Sequence, residues 1–224
     1  MPATRTFPLR HAQLARAAFA AVAALMITFS ADHSAFVGLA VFSGFALVTA
    51  LIHILAAWLV VPAGWRWPSV LLAAVAILTG MAGSIPAWRT TPMFFVVVIT
   101  WGALSGLVEL LAGIRARRQA RAGAAPAVVA DGARDAILIG SLGLALAVGL
   151  LCVPTTYALN YSIAEAGSFT LTGITLAVGI FGAYAAVVAV FLGIAGFSPR
   201  ARATDTDTDT DTAGTVPAAN EGSA

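Results

Sequence analysis

The sequence of 224 residues has no lysine, one cysteine and few charged residues, which make up 10% of the chain. Soluble domains carry about 25% charged and ~45–50% apolar residues, whereas 60% of this chain is hydrophobic. A water-soluble fold could not bury that much apolar surface. The net charge of +2 is too small to suggest a nucleic-acid partner. The cysteine, Cys152, has no partner for an internal disulfide, and we interpret it as a small buried hydrophobe.

Catalytic motifs are also lacking. The sequence contains no glycine-rich phosphate loop, no HExxH, CxxC or GxSxG pattern and no pair of intramembrane aspartates. Nucleotide-driven, zinc-dependent, serine and aspartyl chemistries therefore lack their minimum components. The connections between the apolar runs are too short to fold as separate domains. We predict a protein without catalytic residues, metal or cofactor.

Long apolar runs fill most of the chain instead, and the clearest one covers residues 93–114. At ~1.5 Å per residue, this run can cross the ~30 Å hydrocarbon core of a bilayer. Four arginines follow it at once, Arg115, Arg117, Arg118 and Arg121. Arginines beside a membrane helix are typical of the cytoplasmic side. The sequence therefore predicts a transmembrane helix that ends in the cytoplasm.

Six segments of this kind are predicted, at about residues 12–30, 36–61, 69–86, 93–114, 136–153 and 169–197. A signal peptide is the alternative for the first segment, but small residues are missing at the −3 position of a cleavage site. Residues 122–135 are predicted as a cytoplasmic loop and residues 155–168 as an outer loop. Every arginine except Arg89 lies inside when both termini are cytoplasmic.

The predicted fold class is therefore all-α, an integral membrane six-helix bundle with both termini in the cytoplasm. Residues 1–11 form the N-terminal segment and residues 12–198 the membrane domain. Residues 199–224, which include a Thr-Asp repeat, are predicted to be a disordered tail because they have nothing to bury. The expected location is the cytoplasmic membrane of a bacterium, with the lipid bilayer as the main partner.

A repeat connects the second, fourth and sixth segments. Residues 48–58, 104–114 and 184–194 align with one another, and Phe45, Trp101 and Phe181 occupy corresponding positions. Residues 80–86 likewise align with residues 148–154, and each stretch is a small-residue-rich helix end closed by proline. The sequence thus predicts three tandem helical hairpins in parallel orientation.

The hairpin pattern resembles the HdeD-type membrane proteins, which are associated with acid resistance. The resemblance covers roughly residues 10–197. It rests on Trp67-Pro-Ser-Val-Leu-Leu leading to Pro86, and on residues 99–115, Ile-Thr-Trp-Gly-Ala-Leu-Ser-Gly-Leu-Val-Glu-Leu-Leu-Ala-Gly-Ile-Arg. It implies six membrane helices built from a repeated hairpin, and a non-catalytic role in acid or stress tolerance or in membrane maintenance.

Glu109 is the one acidic residue inside a predicted membrane segment, and the repeat places His53 and Ala189 at the matching positions. A carboxylate there is costly unless it is paired, hydrated or protonated, so it flags a functional site. In one interpretation, Glu109 and His53 form a hydrogen-bonded pair that serves a small proton-coupled transporter or channel. In the other, Glu109 reaches toward Arg66 or Arg115 and His53 bonds a backbone carbonyl.

Asp32 and His33 lie in the predicted first outer turn, where external acid would reach them directly. Protonation of a histidine in such a turn can change its conformation, which would suit a pH sensor. The alternative is that both are ordinary polar residues of a tight turn.

Small residues form two faces that favour close helix packing. Gly102, Ser105 and Gly106 make one face on the fourth helix, and Gly80 and Ser84 make a small-xxx-small pair on the third. Such faces pack helices within one chain, in a homo-oligomer or against another membrane protein. We expect packing within the chain to be their main use.

Overall fold

The computed structural model describes residues 9–163 and 167–198. Within them lie six helices, α1 (Leu9–Phe29), α2 (Ala35–Leu59), α3 (Trp67–Ser84), α4 (Thr91–Arg121), α5 (Ala127–Leu151) and α6 (Gly173–Phe197). All six are long and apolar enough to cross a membrane. Between α5 and α6, the strands β1 (Ala158–Ile163) and β2 (Gly167–Thr172) pair antiparallel. The chain is a multi-pass membrane protein with one small β-hairpin.

Two predictions concern residues outside this description. The N-terminal segment up to residue 8 and the predicted disordered tail at residues 199–224 both lie outside the described residues. The other segment boundaries differ from the predicted ones by at most three residues, except around α4, α5 and α6.

Large apolar side chains cover the outside of the bundle as well as its core. Leu78, Val96 and Val190 are 60–69% exposed, and each lies on a different helix. Such a surface is unfavourable in water but suits the hydrocarbon of a bilayer. At the same time α2 is the most buried of the six helices, which makes it the centre of the bundle.

The closest helix pairs are not the hairpins that the repeat predicted. Each even-numbered helix packs most extensively against the odd-numbered helix that follows it, so α2 pairs with α3, α4 with α5, and the last helix, α6, with the first, α1. Contacts within the predicted hairpins exist but are smaller. Two of the closest pairs, α2–α3 and α4–α5, are joined by short connections on the side opposite to that of the predicted hairpins, and the third joins the two ends of the chain. Small residues on facing helices allow this close packing.

The three corresponding aromatic residues of the repeat meet between α2, α4 and α6. The Phe45 ring centroid lies 5.5 Å from that of Trp101 and 5.8 Å from that of Phe181, with the rings edge to face. Phe42 contacts the same two rings at 5.5 and 5.6 Å. These four side chains, called the aromatic cluster below, fill the space where the even-numbered helices converge.

The most intimate contact joins α4 to α5. A Cβ added to Gly106 would lie 2.8 Å from the carbonyl oxygen of Gly140, and one added to Gly102 would lie 3.0 Å from that of Gly143. Only residues without a side chain allow the two backbones to come so close. Ser105 is buried beside them, and its hydroxyl donates to a backbone carbonyl of its own helix.

On α3, the pair of small residues facing α2 differs from the predicted one. A Cβ on Gly80 would lie 3.0 Å from Leu47, and one on Gly83 would lie 2.8 Å from the Ser43 hydroxyl. Ser84 is exposed instead and donates to a carbonyl of its own helix. The prediction that Ser84 packs against a neighbouring helix is wrong within this chain, because the contact face repeats after three residues here and not after four.

The predicted loop at residues 122–135 is mostly helix. The fourth helix continues through its arginines to Arg121, and α5 begins at Ala127. Gly123, with a φ of 70°, lies just after the end of α4, where glycine readily adopts this conformation. Pro126 precedes α5. The pattern missed this helical turn because its alanines and glycine give no apolar stripe, although alanine is the strongest helix former.

The predicted start of the sixth helix at residue 169 is also wrong. Residues 167–172 form β2, in which Thr172 pairs with Ala158, and the helix begins at Gly173. The Thr172 hydroxyl accepts a hydrogen bond from the Thr175 backbone N–H and caps the helix. The alternation of Thr170 and Thr172 with apolar residues favours a strand, but an apolar run cannot by itself distinguish a strand from a helix.

Candidate functional site

The two ends of the bundle differ in charge. At one end, called the basic end below, lie the described arginines of the helix termini and the α2–α3 connection, Arg10, Arg66, Arg115, Arg117, Arg118, Arg121 and Arg134. At the opposite end, among the described residues, the only arginine is Arg89. Its guanidinium donates to the carbonyl oxygens of Gly83 at 3.1 Å and Ser84 at 3.3 Å, so it caps the C-terminus of α3.

Inside the bundle, Glu109 of α4 pairs with Arg16 of α1. The Nη2 atom of Arg16 donates to Oε1 of Glu109 at 2.7 Å. The side chain of Glu109 is 8% exposed and that of Arg16 is 21% exposed. Charge-assisted hydrogen bonds of this length are among the strong ones, and pairing offsets part of the cost of removing both charges from water.

The basic partners proposed for Glu109 from the sequence lie elsewhere. Arg66 donates from Nε to a backbone carbonyl of its own connection at 3.1 Å, and the Arg115 guanidinium lies 5.8 Å from the centre of the Trp65 ring. The prediction that Glu109 reaches toward them is wrong. Arg16 takes that place: it lies within α1, and its side chain reaches Glu109 of α4 across the bundle.

His53 of α2 reaches the same region. It is 7% exposed and lines a cavity together with Glu109 and Arg16. Among the described residues, no hydrogen bond joins His53 to Glu109. The structure thus brings the two predicted residues to one cavity but gives the carboxylate a different partner.

This cavity has a volume of about 180 Å³ and extends from the helix ends near Leu9 and Trp65 inward to His53 and Glu109. Its walls are mostly apolar, with a few convergent polar groups, which is the usual composition of a small-molecule site. A protein cavity of ~150 Å³ can hold a molecule the size of benzene. The cavity is therefore large enough for several waters or one small solute.

A second polar contact lies nearer the mouth of the cavity. The side-chain amide of Gln13 on α1 donates to the carboxylate of Asp135 on α5, and both residues line the cavity. Because Gln13 and Arg16 are three residues apart, they lie on the same face of α1. One face of α1 therefore places polar groups against both α4 and α5.

Beyond the ion pair, a small pocket of about 10 Å³ continues toward the middle of the bundle, and its polar wall includes Thr49, Ser105 and Tyr184. Trp101 also lines this pocket and belongs to the aromatic cluster. Phe42 and Phe181 of that cluster have no exposed surface. Polar groups thus extend inward from the basic end and stop at a layer of packed aromatic rings.

The repeat explains the levels at which these polar groups lie. Thr49 and Ser105 correspond, as do His53 and Glu109 one turn further on, whereas α6 has alanine at both levels, Ala185 and Ala189. The helix that packs most extensively against α6 is α1, which carries Arg16. An odd-numbered helix therefore supplies a polar group where the third even-numbered helix has alanine at the matching positions.

The other predicted residues have local roles at the opposite end. The Asp32 carboxylate accepts hydrogen bonds from the Ser34 backbone N–H and hydroxyl, both at 2.8 Å, and the Ser34 hydroxyl in turn accepts from the Val37 N–H at the start of α2. His33 lies in the same turn and is half-buried. The interpretation of Cys152 as buried is wrong, since it is exposed just after α5.

Sequence reasoning missed Arg16 as part of the site, although a signal was present. The buried residues of α1 recur at three- and four-residue spacing through Ala17, Ala20, Ala24 and Ile27. Extended toward the N-terminus, this stripe includes Gln13, and Arg16 lies next to it. A polar pair continuing the buried stripe of a membrane helix indicates polar partners on the neighbouring helices.

Within residues 9–163 and 167–198, no group of three His, Cys, Asp or Glu side chains could hold a metal ion. No protein-family model, no curated protein and no solved structure matches this chain. The resemblance to HdeD-type proteins therefore stays a prediction that rests on the sequence pattern.

Proposed function

We propose that this protein is a small proton-coupled transporter or channel and not an enzyme, with the cavity that contains Glu109 and His53 as its binding site. The observation that supports this most directly is the Arg16–Glu109 ion pair on the wall of a cavity that also contains His53. Ionisable side chains inside membrane helices are rare, and they mark the paths of ions and protons.

The ion pair is costly as a purely structural device. Continuum estimates and experiments show that buried pairs often contribute nothing net relative to apolar residues of similar size. In this bundle, backbone contacts such as that of Gly106 with Gly140 already hold α4 in place. A charged pair next to a cavity is better explained by a functional role, in which Glu109 exchanges its partner Arg16 for a proton or a solute.

Access to the cavity supports a gated path. Its mouth lies among residues at the basic end, and the small pocket beyond its inner end reaches Trp101 of the aromatic cluster. A transporter that is open to one side and closed to the other has this arrangement. We propose that the basic end faces the cytoplasm of a bacterium, in accordance with the positive-inside rule, and that the closed end faces outward.

The second candidate function is the HdeD-like one, a non-catalytic role in acid or stress tolerance or membrane maintenance. The pattern of residues 99–115 and the repeat favour it. The two proposals differ in what must move: transport requires flux through the protein, whereas a stress role without transport requires only that the protein is present in the membrane.

Flux measurements in proteoliposomes test the first proposal. We expect wild-type protein to raise proton flux above that of empty vesicles, and Glu109→Gln and His53→Ala to lower it toward the vesicle background. Ser141→Ala is the matched control, because Ser141 is an exposed polar residue on α5 that bonds only a carbonyl of its own helix. Flux equal to background for wild-type protein, across imposed pH gradients and a panel of small solutes, would remove the transporter.

A deletion strain tests the second candidate. Loss of acid survival that is restored equally by wild-type protein and by Glu109→Gln would support a stress role without transport. Restoration by wild-type protein alone would assign survival to the ion pair, and therefore to the cavity.

A further inference from the structure

We propose that the groove between the ends of α4 and α5 at the basic end binds the phosphate headgroup of an anionic membrane phospholipid. Three arginines flank this groove, Arg117 and Arg121 from α4 and Arg134 from α5, and all three are exposed. The groove has a volume of about 690 Å³ and is separate from the cavity that contains Glu109.

The spacing of the arginines follows from helix geometry and close packing. Arg117 and Arg121 are four residues apart and therefore share one face of α4. The facing helix is held at backbone distance, since a Cβ on Gly113 would lie 2.9 Å from the Ala133 carbonyl oxygen. The glycine contacts thus place guanidinium groups from two helices on opposite sides of one groove. No loop has to become ordered for this arrangement.

The described residues provide no counter-charge to the arginines of the groove. Among the described residues, no acidic side chain forms an ion pair with Arg117, Arg121 or Arg134. Two acidic residues of α5 are near, and neither lines the groove: Asp131 is exposed three residues before Arg134 but forms no ion pair with it, and Asp135 lies in the other cavity with Gln13. An anion with several acceptor oxygens would complete this arrangement, because guanidinium groups match phosphate oxygens in bidentate geometry.

The position of the groove along the bilayer normal favours a lipid over a soluble anion. Helix α4 has 31 residues, which is about 46 Å and exceeds the ~30 Å hydrocarbon core. Its last turns therefore reach headgroup level. On the side toward the membrane interior, the groove is lined by Ile137 and Leu138, one turn from Arg134. A phospholipid whose phosphate is held by the arginines would place its acyl chains along these apolar side chains.

The α2–α3 groove shows what a non-specific lipid contact looks like. It is lined by apolar residues and by Arg66, whose Nε already donates to a backbone carbonyl. An acyl chain can lie against this apolar surface, but its one arginine is already engaged and provides little binding for a headgroup. The α4–α5 groove differs from it because it has three arginines, none of which forms an ion pair or a hydrogen bond with another described side chain.

The test uses the full-length protein in zwitterionic detergent, with thermal unfolding measured against added short-chain phosphatidylglycerol, short-chain phosphatidylcholine or glycerol phosphate. We compare the groove variant Arg117→Gln/Arg134→Gln with the control Arg115→Gln/Arg118→Gln, which removes the same charge from the same end. Phosphatidylglycerol should raise the melting temperature of wild type and control. The groove variant should need roughly 30-fold more of it, the effect of two lost arginine–anion contacts.

Ala130→Leu provides a second variant that keeps every arginine but fills the groove, which Ala130 lines. It should also weaken the response to phosphatidylglycerol, whereas Ala127→Leu, at an exposed position outside the groove, should not. The proposal would be overturned if the groove and control variants lost the response to phosphatidylglycerol equally, or if Ala130→Leu responded to it like wild type. It would also be overturned if phosphatidylcholine or glycerol phosphate raised the melting temperature as much as phosphatidylglycerol does. Each comparison stands even if one variant proves unstable.

Discussion

Arg16 of α1 donates a 2.7 Å hydrogen bond to Glu109 of α4, and this ion pair joins two residues that are 93 positions apart in the chain. The two partners are not equally shielded, since Glu109 is 8% exposed and Arg16 is 21% exposed. This asymmetry makes the consequences of removing either partner different.

Arg16→Leu should destabilise the protein by about 3–5 kcal/mol, because it leaves a carboxylate buried without its counter-charge. Glu109→Leu should cost less, since the remaining guanidinium can reach water in the cavity. The double variant should recover most of the stability lost in Arg16→Leu, as expected when a buried pair is replaced by apolar residues. Unfolding in mixed detergent micelles measures all three, and strictly additive effects would contradict a direct coupling of the two side chains.

Gly106→Ala should destabilise the protein by about 1–3 kcal/mol, because the new methyl group would collide with the α5 backbone. The matched control is Gly44→Ala on α2, where a Cβ meets nothing within 4 Å. There the higher helix propensity of alanine should leave stability unchanged or raise it by up to ~1 kcal/mol. Melting temperatures of the two variants give the comparison, and equal effects would mean that α4 and α5 do not pack as described.

The exposed Cys152 reports which end of the bundle faces outward. It is the one cysteine of the chain and lies at the end opposite the basic end. If the basic end is cytoplasmic, a membrane-impermeant maleimide should label Cys152 in intact cells. In a Cys152→Ser background, Ala124→Cys, in the exposed turn after α4, should react only after permeabilisation. The reverse pattern would invert the proposed topology.

Trp101→Ala should open a leak through the proposed path, because Trp101 lines the inner pocket and packs against Phe45 in the aromatic cluster. We expect a faster collapse of an imposed pH gradient in proteoliposomes, together with a loss of about 3–5 kcal/mol of stability. Trp58→Ala, whose indole is 69% exposed, is the control and should change neither property. A destabilised Trp101→Ala protein that remains as tight as wild type would show that the cluster is not a barrier.

Helix number and approximate helix bounds followed from the sequence because length and hydropathy are local properties that a bilayer selects directly. The correspondence of Phe45, Trp101 and Phe181 was also visible in the sequence, and these rings do meet. Prediction did worse at residues 122–135 and 167–172, where an Ala-rich helix and a Thr-rich strand lack the pattern of a membrane segment. Hydropathy alone cannot assign either one.

The candidate site was only half visible. The sequence singled out Glu109 and His53 as ionisable residues inside membrane segments, and both do line one cavity. The sequence pattern did not identify Arg16 as their neighbour, because choosing among several arginines requires knowing which helices are adjacent. That choice depends on contacts between distant helices.

The sequence by itself determined that six apolar segments can cross a membrane, because this depends only on the length and hydropathy of each segment. Only the tertiary structure decided that α6 packs against α1, that Arg16 meets Glu109, and that arginines of α4 and α5 share one groove. These outcomes depend on how small residues on separate helices fit together. In a bilayer, where burial of apolar surface gives no preference among helices, shape and polar pairing make that choice.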